Sequence, residues 1–199
     1  MRGLVRVGAA VPSLALGNVK ENMKRHLAMM REAKEKHVSI VTFPELSLTG
    51  YTCGDLFFQR RLLDDVTDAL LALKDEMPEG ILAVVGAPLE IEGALYNCAV
   101  VLHKGEIISA VPKTFLPNNG EFYEKRWFQS GDARRDASVA IPKLKTDVCR
   151  QAIFETEDGV RFGIELCEDL WAPLPPSTML SVEGAEIILN LSASNELLS

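Results

Sequence analysis

The sequence predicts an α/β fold in which two sheets pack together with helices outside, and three observations predict it. An apolar strand-like run, a capped amphipathic helix and a second apolar run fill the first forty-odd residues, the strand–helix–strand signature of α/β proteins. Between residues 81 and 111, apolar runs follow one another without a helix, joined by the tight turn Lys104-Gly105-Glu106; this is antiparallel hairpin grammar, which a purely parallel sheet lacks. A last group, with strands at 150–156, 160–166 and 186–191, repeats the mixture and argues for strands in two layers with helices covering them. At 199 residues, 47% hydrophobic and 25% charged, the chain reads as one soluble domain, 1–199, with a sizeable core.

Each element has a local reason. Residues 4–11 read as a first core strand. Asn18 and Glu21 have the spacing of a capping box, and Val19, Met23, Leu27 and Met30 follow at helical intervals to about residue 36. Residues 38–43 are β-branched and apolar and stop at Pro44. A second helix is expected over 55–76 with Leu56, Leu63, Val66 and Leu70 inward, and with Arg60 and Arg61 on its solvated face. Strands at 81–87, 96–102 and 107–111 follow. The segment 132–147 carries little signal. Glu157-Asp158-Gly159 turns 150–156 onto 160–166, and the prolines at 173, 175 and 176 open a short helix to about residue 184.

Composition excludes several classes. A net charge of −7 disfavours a nucleic-acid or anionic-membrane surface, and no apolar run is long enough to span a bilayer. Arg6 and Pro12 interrupt the apolar N-terminal stretch, which therefore reads as structure and not as a signal peptide. Four cysteines without metal-ligand spacing fit free thiols in a reducing cytoplasm. Three histidines make no convincing metal or triad cluster, so no metal is expected.

Three residues follow apolar strands directly: Glu45 after Pro44, Lys113 after Pro112, and Cys167 after the run 160–166. Strands of one sheet ending on the same side would bring all three to one cleft, where α/β folds place their sites. A glutamate drawn among Phe43, Leu46 and Leu48 acquires a raised pKa and accepts a proton. A cysteine at a strand tip presents its sulfur, and the following N–H, that of Glu168, is free for an oxyanion. Lys113 would favour the thiolate and share the oxyanion, with Glu121 placed to hold the ammonium. These types suit amide hydrolysis through a thioester. Taken alone, the residues leave open a solvated Glu45, a surface Lys113 and a Cys167 that is an ordinary buried thiol.

The motifs FPELSLTGY, PKTFLPNNGEFYE and GIELCEDLW, in that order, resemble the three catalytic motifs of the nitrilase (carbon–nitrogen hydrolase) superfamily. More narrowly, SLTGYTCGDLFFQ, KTFLPN-x-x-EFYEKRWF, CEDLW-x-P and NLSAS resemble the glutaminase domains of glutamine-dependent NAD synthetases, over nearly the whole chain. The resemblance implies an α-β-β-α sandwich and a Glu–Lys–Cys triad at Glu45, Lys113 and Cys167, with a second glutamate eight residues after the lysine at Glu121. It implies hydrolysis of L-glutamine without a cofactor, the ammonia passing to nicotinic acid adenine dinucleotide in a C-terminal synthetase domain that uses ATP and Mg2+. That domain's pyrophosphate loop has no counterpart here, so the chain is expected to be a piece of a longer protein, incomplete at its C-terminal end.

Assembly into a homo-oligomer is implied in the same way. Where family members carry a pocket tyrosine six residues after the lysine, this chain has Asn119. Glu168, Ser192 and Ser194 are candidates for gripping substrate, with a plain strand-end turn the competing account of the serines. Two other functions compete at this level. One is a stand-alone amidase for another small amide, distinguished by the sequence downstream of Ser199; the other is a catalytically incomplete assembly fragment.

Overall fold

Both faces of the long central strands are apolar, and the fold covers both. The computed structural model describes residues 4–133, 139–141, 143–149 and 151–195. Seven strands, β1 (Val7–Ala9), β2 (Ile40–Thr42), β3 (Leu82–Ile91), β4 (Ala94–His103), β5 (Glu106–Pro112), β6 (Val139–Ile141) and β7 (Thr146–Val148), form one sheet in the order β1-β2-β3-β4-β5-β7-β6. Three more, β8 (Ile153–Glu155), β9 (Arg161–Leu166) and β10 (Ile187–Leu191), form a second sheet in the order β10-β9-β8. Helices α1 (Val19–Glu35) and α2 (Arg60–Glu76) lie on the large sheet, and α3 (Pro176–Val182) lies on the small one.

Alternation along β4 shows why the layers stack. Cys98, Val100 and Leu102 join Leu27, Met30, Leu70 and Leu73 in the core beneath the helices. Ala99 and Val101 point the other way, onto Phe162, Ile164, Leu166, Leu189 and Leu191 of the small sheet. With each fully buried aliphatic or aromatic side chain contributing about 1.5–3 kcal/mol, this inter-sheet layer is what holds β9, and the cysteine after it, against the large sheet. The result is the expected α-β-β-α sandwich. Gly163 on β9 belongs to it too: a Cβ there would meet the Leu180 side chain at 2.8 Å, so glycine is what lets α3 lie down on the strand.

Direction matters as much as layering. β1, β2 and β3 are parallel, whereas β3–β4 and β4–β5 are antiparallel, so β2 and β5 run the same way and finish at the same edge. The hairpins turn on Glu92-Gly93 and Lys104-Gly105, all four residues with positive φ, as type I′ turns require.

Several expectations need correction. The first strand shrinks to Val7–Ala9 at the sheet edge, with Leu4 and Val11 exposed. The second helix is interrupted at Gln59, whose backbone is extended at φ −80° and ψ 120°, so that a 3-10 segment, Tyr51–Phe58, precedes α2; Leu56, in that segment, is exposed. Residues 139–148 hold two short strands where none was expected. Arg150, the expected start of the next strand, lies outside the described residues. All four cysteines are free thiols, and no described helix is long and apolar enough to cross a membrane.

Two buried polar residues on the apolar stripe of α1 anchor the loop that follows β2. Asn22 accepts from the Ala15 N–H and donates to the Ala15 and Leu48 carbonyls at 2.9 and 3.0 Å. One turn on, His26 Nδ1 donates to the Asn22 carbonyl at 2.7 Å, and Nε2 accepts from the Ser47 hydroxyl at 2.9 Å. Burial pushes the His26 pKa down to about 4. The unfolded chain, with a pKa near 6.5, then takes up a proton before the folded one does. Stability is therefore full above about pH 6.5 and falls as pH drops towards 4, by about 3 kcal/mol from this group. Denaturant titrations at pH 7 and 4.5 are expected to show that loss in the parent protein and a smaller one in His26→Gln; equal losses would remove His26 as the cause.

Candidate active site

The loop 43–51 lies directly across β3, because residue 86 has no side chain. A Cβ on Gly86 would sit 2.4 Å from both the Leu46 nitrogen and the Pro44 carbonyl oxygen. The Leu48 N–H donates instead to the Gly86 carbonyl at 3.1 Å. Leu46 adopts φ 51°, a left-handed turn costly for a side-chain-bearing residue, and this drives Glu45 inward until only 1% of it is exposed. Lys113, directly after β5, is entirely buried. Its N–H donates to the Asn97 carbonyl and its own carbonyl accepts from Gly131, so the backbone is fixed on both sides.

Lys113 Nζ is held between two carboxylates, 2.5 Å from Glu45 Oε1 and 2.6 Å from Glu124 Oε1. Burial of the ammonium works against its charge, but Glu45 and Glu124 outweigh this and keep its pKa above the ordinary lysine value. Lys113 is thus a fixed cation and not a proton donor near neutrality. Tyr51 donates to Glu124 Oε1 at 2.7 Å. Asn97 Nδ2 donates to Glu45 Oε1 at 2.7 Å and lies 3.4 Å from Glu124 Oε2. Glu45 Oε2 is buried with no hydrogen-bond partner. Burial raises the Glu45 pKa, with Lys113 pulling it back.

Cys167 follows β9 at φ 44°, a strained strand-to-helix turn of the kind that clusters at functional sites. Its sulfur is 3.6 Å from Ser194 Oγ, where β10, parallel to β9, has just ended. Burial first, and the Glu45 charge second, hold the thiol pKa above its ordinary value, while Lys113 opposes them. The resting group is a thiol in electrostatic contact with Glu45 and Lys113, so a base must remove its proton. Asp169 ties the two halves together. Its Oδ1 accepts from the Thr114 and Phe115 N–H groups at 3.0 and 2.7 Å, and its Oδ2 from the Leu166 N–H at 3.0 Å. The segments carrying Lys113 and Cys167 therefore share one buried carboxylate.

Glu45 and Lys113 thus meet in an ion pair, and Cys167 is near enough for both charges to act on its thiol, but across two sheets: β2 and β5 supply the first two and the small sheet supplies the cysteine. The second carboxylate is not where it was expected. Glu121 is exposed, and its carboxylate accepts from the Asn195 amide; Glu124, three residues on, reaches the ammonium because its backbone winds into a 3-10 turn, Glu124–Arg126. Asn119 is exposed, its carbonyl accepting from the Phe122 N–H. Ser192 is exposed and donates to Asn190 Oδ1 at 2.5 Å, whereas Ser194 lies at the sulfur.

Glu168 is half-buried on the wall of a recess of about 410 Å³ that Phe115, Lys125 and Trp171 also line. A larger open groove, about 750 Å³ between α1 and α2, has none of the three expected catalytic residues on its walls. Among the described residues no cluster of His, Cys, Asp or Glu is arranged to hold a metal ion. Tyr51, Asn97, Glu124 and Asp169 hold the candidate site together and were not singled out from the sequence; Tyr51 and Glu124 stand at the ends of two recognised motifs, while Asn97 carries no motif signal.

Comparison with known proteins identifies the family and the fold. The family model described as carbon-nitrogen hydrolase matches residues 6–198. The chain is 37% identical over 195 residues to the glutamine-dependent NAD(+) synthetase of Mycobacterium bovis, covering 96% of this chain and 29% of that protein. Among solved structures, the glutamine-dependent NAD(+) synthetase from Cytophaga hutchinsonii superposes with a TM-score of 0.81 at 29% identity, over 96% of this chain and 30% of that one. An amidase from Nesterenkonia sp. shares the fold, with a TM-score of 0.75 at 17% identity over 96% and 66% of the two chains. The chain thus spans somewhat under a third of the length of the NAD synthetases it matches.

Proposed function

The chain belongs to the carbon–nitrogen hydrolase family, and on that premise we propose that it hydrolyses the side-chain amide of L-glutamine, as the ammonia-supplying part of a glutamine-dependent NAD synthetase. One observation carries the chemistry: a fully buried Lys113 is fixed by two glutamates, and one of them, Glu45, has a buried oxygen without a hydrogen-bond partner and acts by its charge on the strand-end Cys167. The similarity to NAD synthetases along 96% of the chain supports glutamine as the amide.

Glu45 Oε2 takes the Cys167 proton as the sulfur bonds to the amide carbon. The carbonyl oxygen becomes an oxyanion, stabilised by Lys113 Nζ and the Glu168 N–H. As the C–N bond breaks, Glu45 returns the proton to nitrogen; ammonia leaves and a thioester remains. Water then attacks the thioester, giving its proton to Glu45, and glutamate is released as the thiol re-forms. Glu124, in place of Glu121, keeps Lys113 charged and aimed. Ser192 and Ser194 remain the proposed contacts to the amino-acid end of the substrate, with Glu168 and Asn119 as further proposed substrate contacts. No step here needs a cofactor; ATP and Mg2+ belong to the ammonia-consuming synthetase reaction.

A glutamine-shaped chloroketone, mapped by peptide mass with free glutamine as competitor, tests the assignment. Modification confined to Cys167 and prevented by glutamine is the expected result. An unlabelled Cys167 that a small alkylating agent still reaches would remove glutamine as the substrate.

A further inference from the structure

Asn97 contacts Glu45, Lys113 and Glu124 together. It lies on β4, and its backbone carbonyl accepts from the Lys113 N–H at 2.8 Å. Its side-chain amide faces two carboxylates, Glu45 Oε1 at 2.7 Å and Glu124 Oε2 at 3.4 Å. Only the NH2 end of an amide suits two acceptors, so the orientation is dictated by chemistry. Glu45 Oε1 therefore carries two donors, Asn97 Nδ2 and Lys113 Nζ, while Oε2 carries none although it is buried.

We propose that Asn97 is a positioning residue for the general base: with Lys113 it occupies Glu45 Oε1 and so reserves Oε2 for the proton of Cys167. This rests on Glu45 being the base. In the step concerned the S–H bond breaks and an Oε2–H bond forms, and the same proton later leaves Oε2 for the departing nitrogen. A carboxylate held by Lys113 alone is free to pivot about one contact and to present either oxygen. The Asn97 bond removes that freedom, so the base is oriented before the reaction begins.

The bond also favours the ionised form of Glu45, and its loss has a titration signature. The charged and titratable groups that face Glu45 are Lys113, Glu124, Tyr51 and Cys167; Asn97→Leu leaves all four in place and removes only the neutral donor. A hydrogen bond to a charged group is worth about one pKa unit or more.

The test is the rate of Cys167 modification by the glutamine-shaped chloroketone between pH 5 and 9, in the parent, Asn97→Leu and Asn97→Ser proteins, with thermal melts to confirm folding. Both variants lack the amide, and the smaller serine side chain carries the test if leucine prevents folding. The expected result is an acid limb displaced upward by about one pH unit and a maximal rate lowered roughly ten- to a hundredfold. The concentration of chloroketone giving half-maximal rate should stay within about twofold. An unmoved acid limb in a folded variant, or a loss confined to half-saturation, overturns the positioning role. If the parent protein itself is not labelled at Cys167, the nucleophile and base assignments fall first and this role with them.

Discussion

Glutamine hydrolysis is expected to disappear in a Cys167→Ala protein and to fall by roughly 10²–10⁴-fold in Glu45→Gln, with both proteins folded. The magnitudes differ because the residues do different things. Without the sulfur no thioester forms, and what remains is unassisted attack by water. Glu45→Gln keeps the nucleophile but removes its base, and the thiol needs one: burial and the Glu45 charge hold its proton on. The amide of glutamine retains an acceptor for Lys113 at the Oε1 position, so the cluster loses a charge but not its shape. Steady-state ammonia release measures both variants. A Glu45→Gln protein within about tenfold of the parent would mean that some other group takes the thiol proton.

That Glu45, Lys113 and Cys167 would come near one another was legible in the sequence because each sits directly after an apolar run, and strand ends are local features. Prolines 44 and 112 mark two of those ends by withholding a ladder donor. What was not legible is how the ends converge. A run such as 160–166 looks the same whether it joins the sheet of β2 and β5 or a second sheet stacked on it. The stacking depends on Phe162 and Ile164 meeting Ala99 and Val101, which are far away in sequence.

The misplacement of the second carboxylate has a similar cause. Glu121 and Glu124 stand three residues apart in a loop without periodicity, and nothing local says which turns inward. The choice is made by tertiary contacts. Asp55 accepts from Arg126 Nε and Nη2 at 2.7 and 2.8 Å and from Trp127 Nε1 at 2.9 Å. Those bonds pin the 3-10 turn so that Glu124 faces Tyr51 and Lys113. Asn97 was hidden differently: inside an apolar strand a single asparagine reads as an interruption. Its meaning appears only when β4 is seen to pass beneath both Glu45 and Glu124. Asn22 and His26 on α1 are the same kind of residue, polar groups on a core stripe whose partners come from the loop after β2.

Replacing Lys113 by methionine should do the widest damage, because the residue serves the fold and the reaction at once. Its side chain is fully buried, as are those of Glu45 and Glu124. Removing the ammonium strands two carboxylates away from solvent. Breaking a buried pair by deleting one partner costs about 3–5 kcal/mol, a large share of the roughly 5–15 kcal/mol that holds a domain folded. The loss has a definite pH dependence. Glu45 already has a raised pKa from burial, and Lys113 is the neighbour that pulls it back; without the ammonium it rises further above its unfolded value of about 4.3.

A carboxyl raised in the folded state is tolerated while protonated and opposes folding once ionised. The variant's deficit should therefore be smallest near pH 4–5 and grow as pH rises through the folded-state pKa. Chemical denaturation of Lys113→Met and parent at pH 5 and 8 measures this directly. Equal deficits at both values would mean that lysine contributes packing and not charge. Activity should fall by at least the hundred- to thousandfold that one oxyanion donor supplies, and lowering the pH should not restore it. Protonating Glu45 stabilises the fold by disabling the base. Stability recovered at low pH without recovery of hydrolysis is thus the outcome that ties the buried charge cluster to both roles.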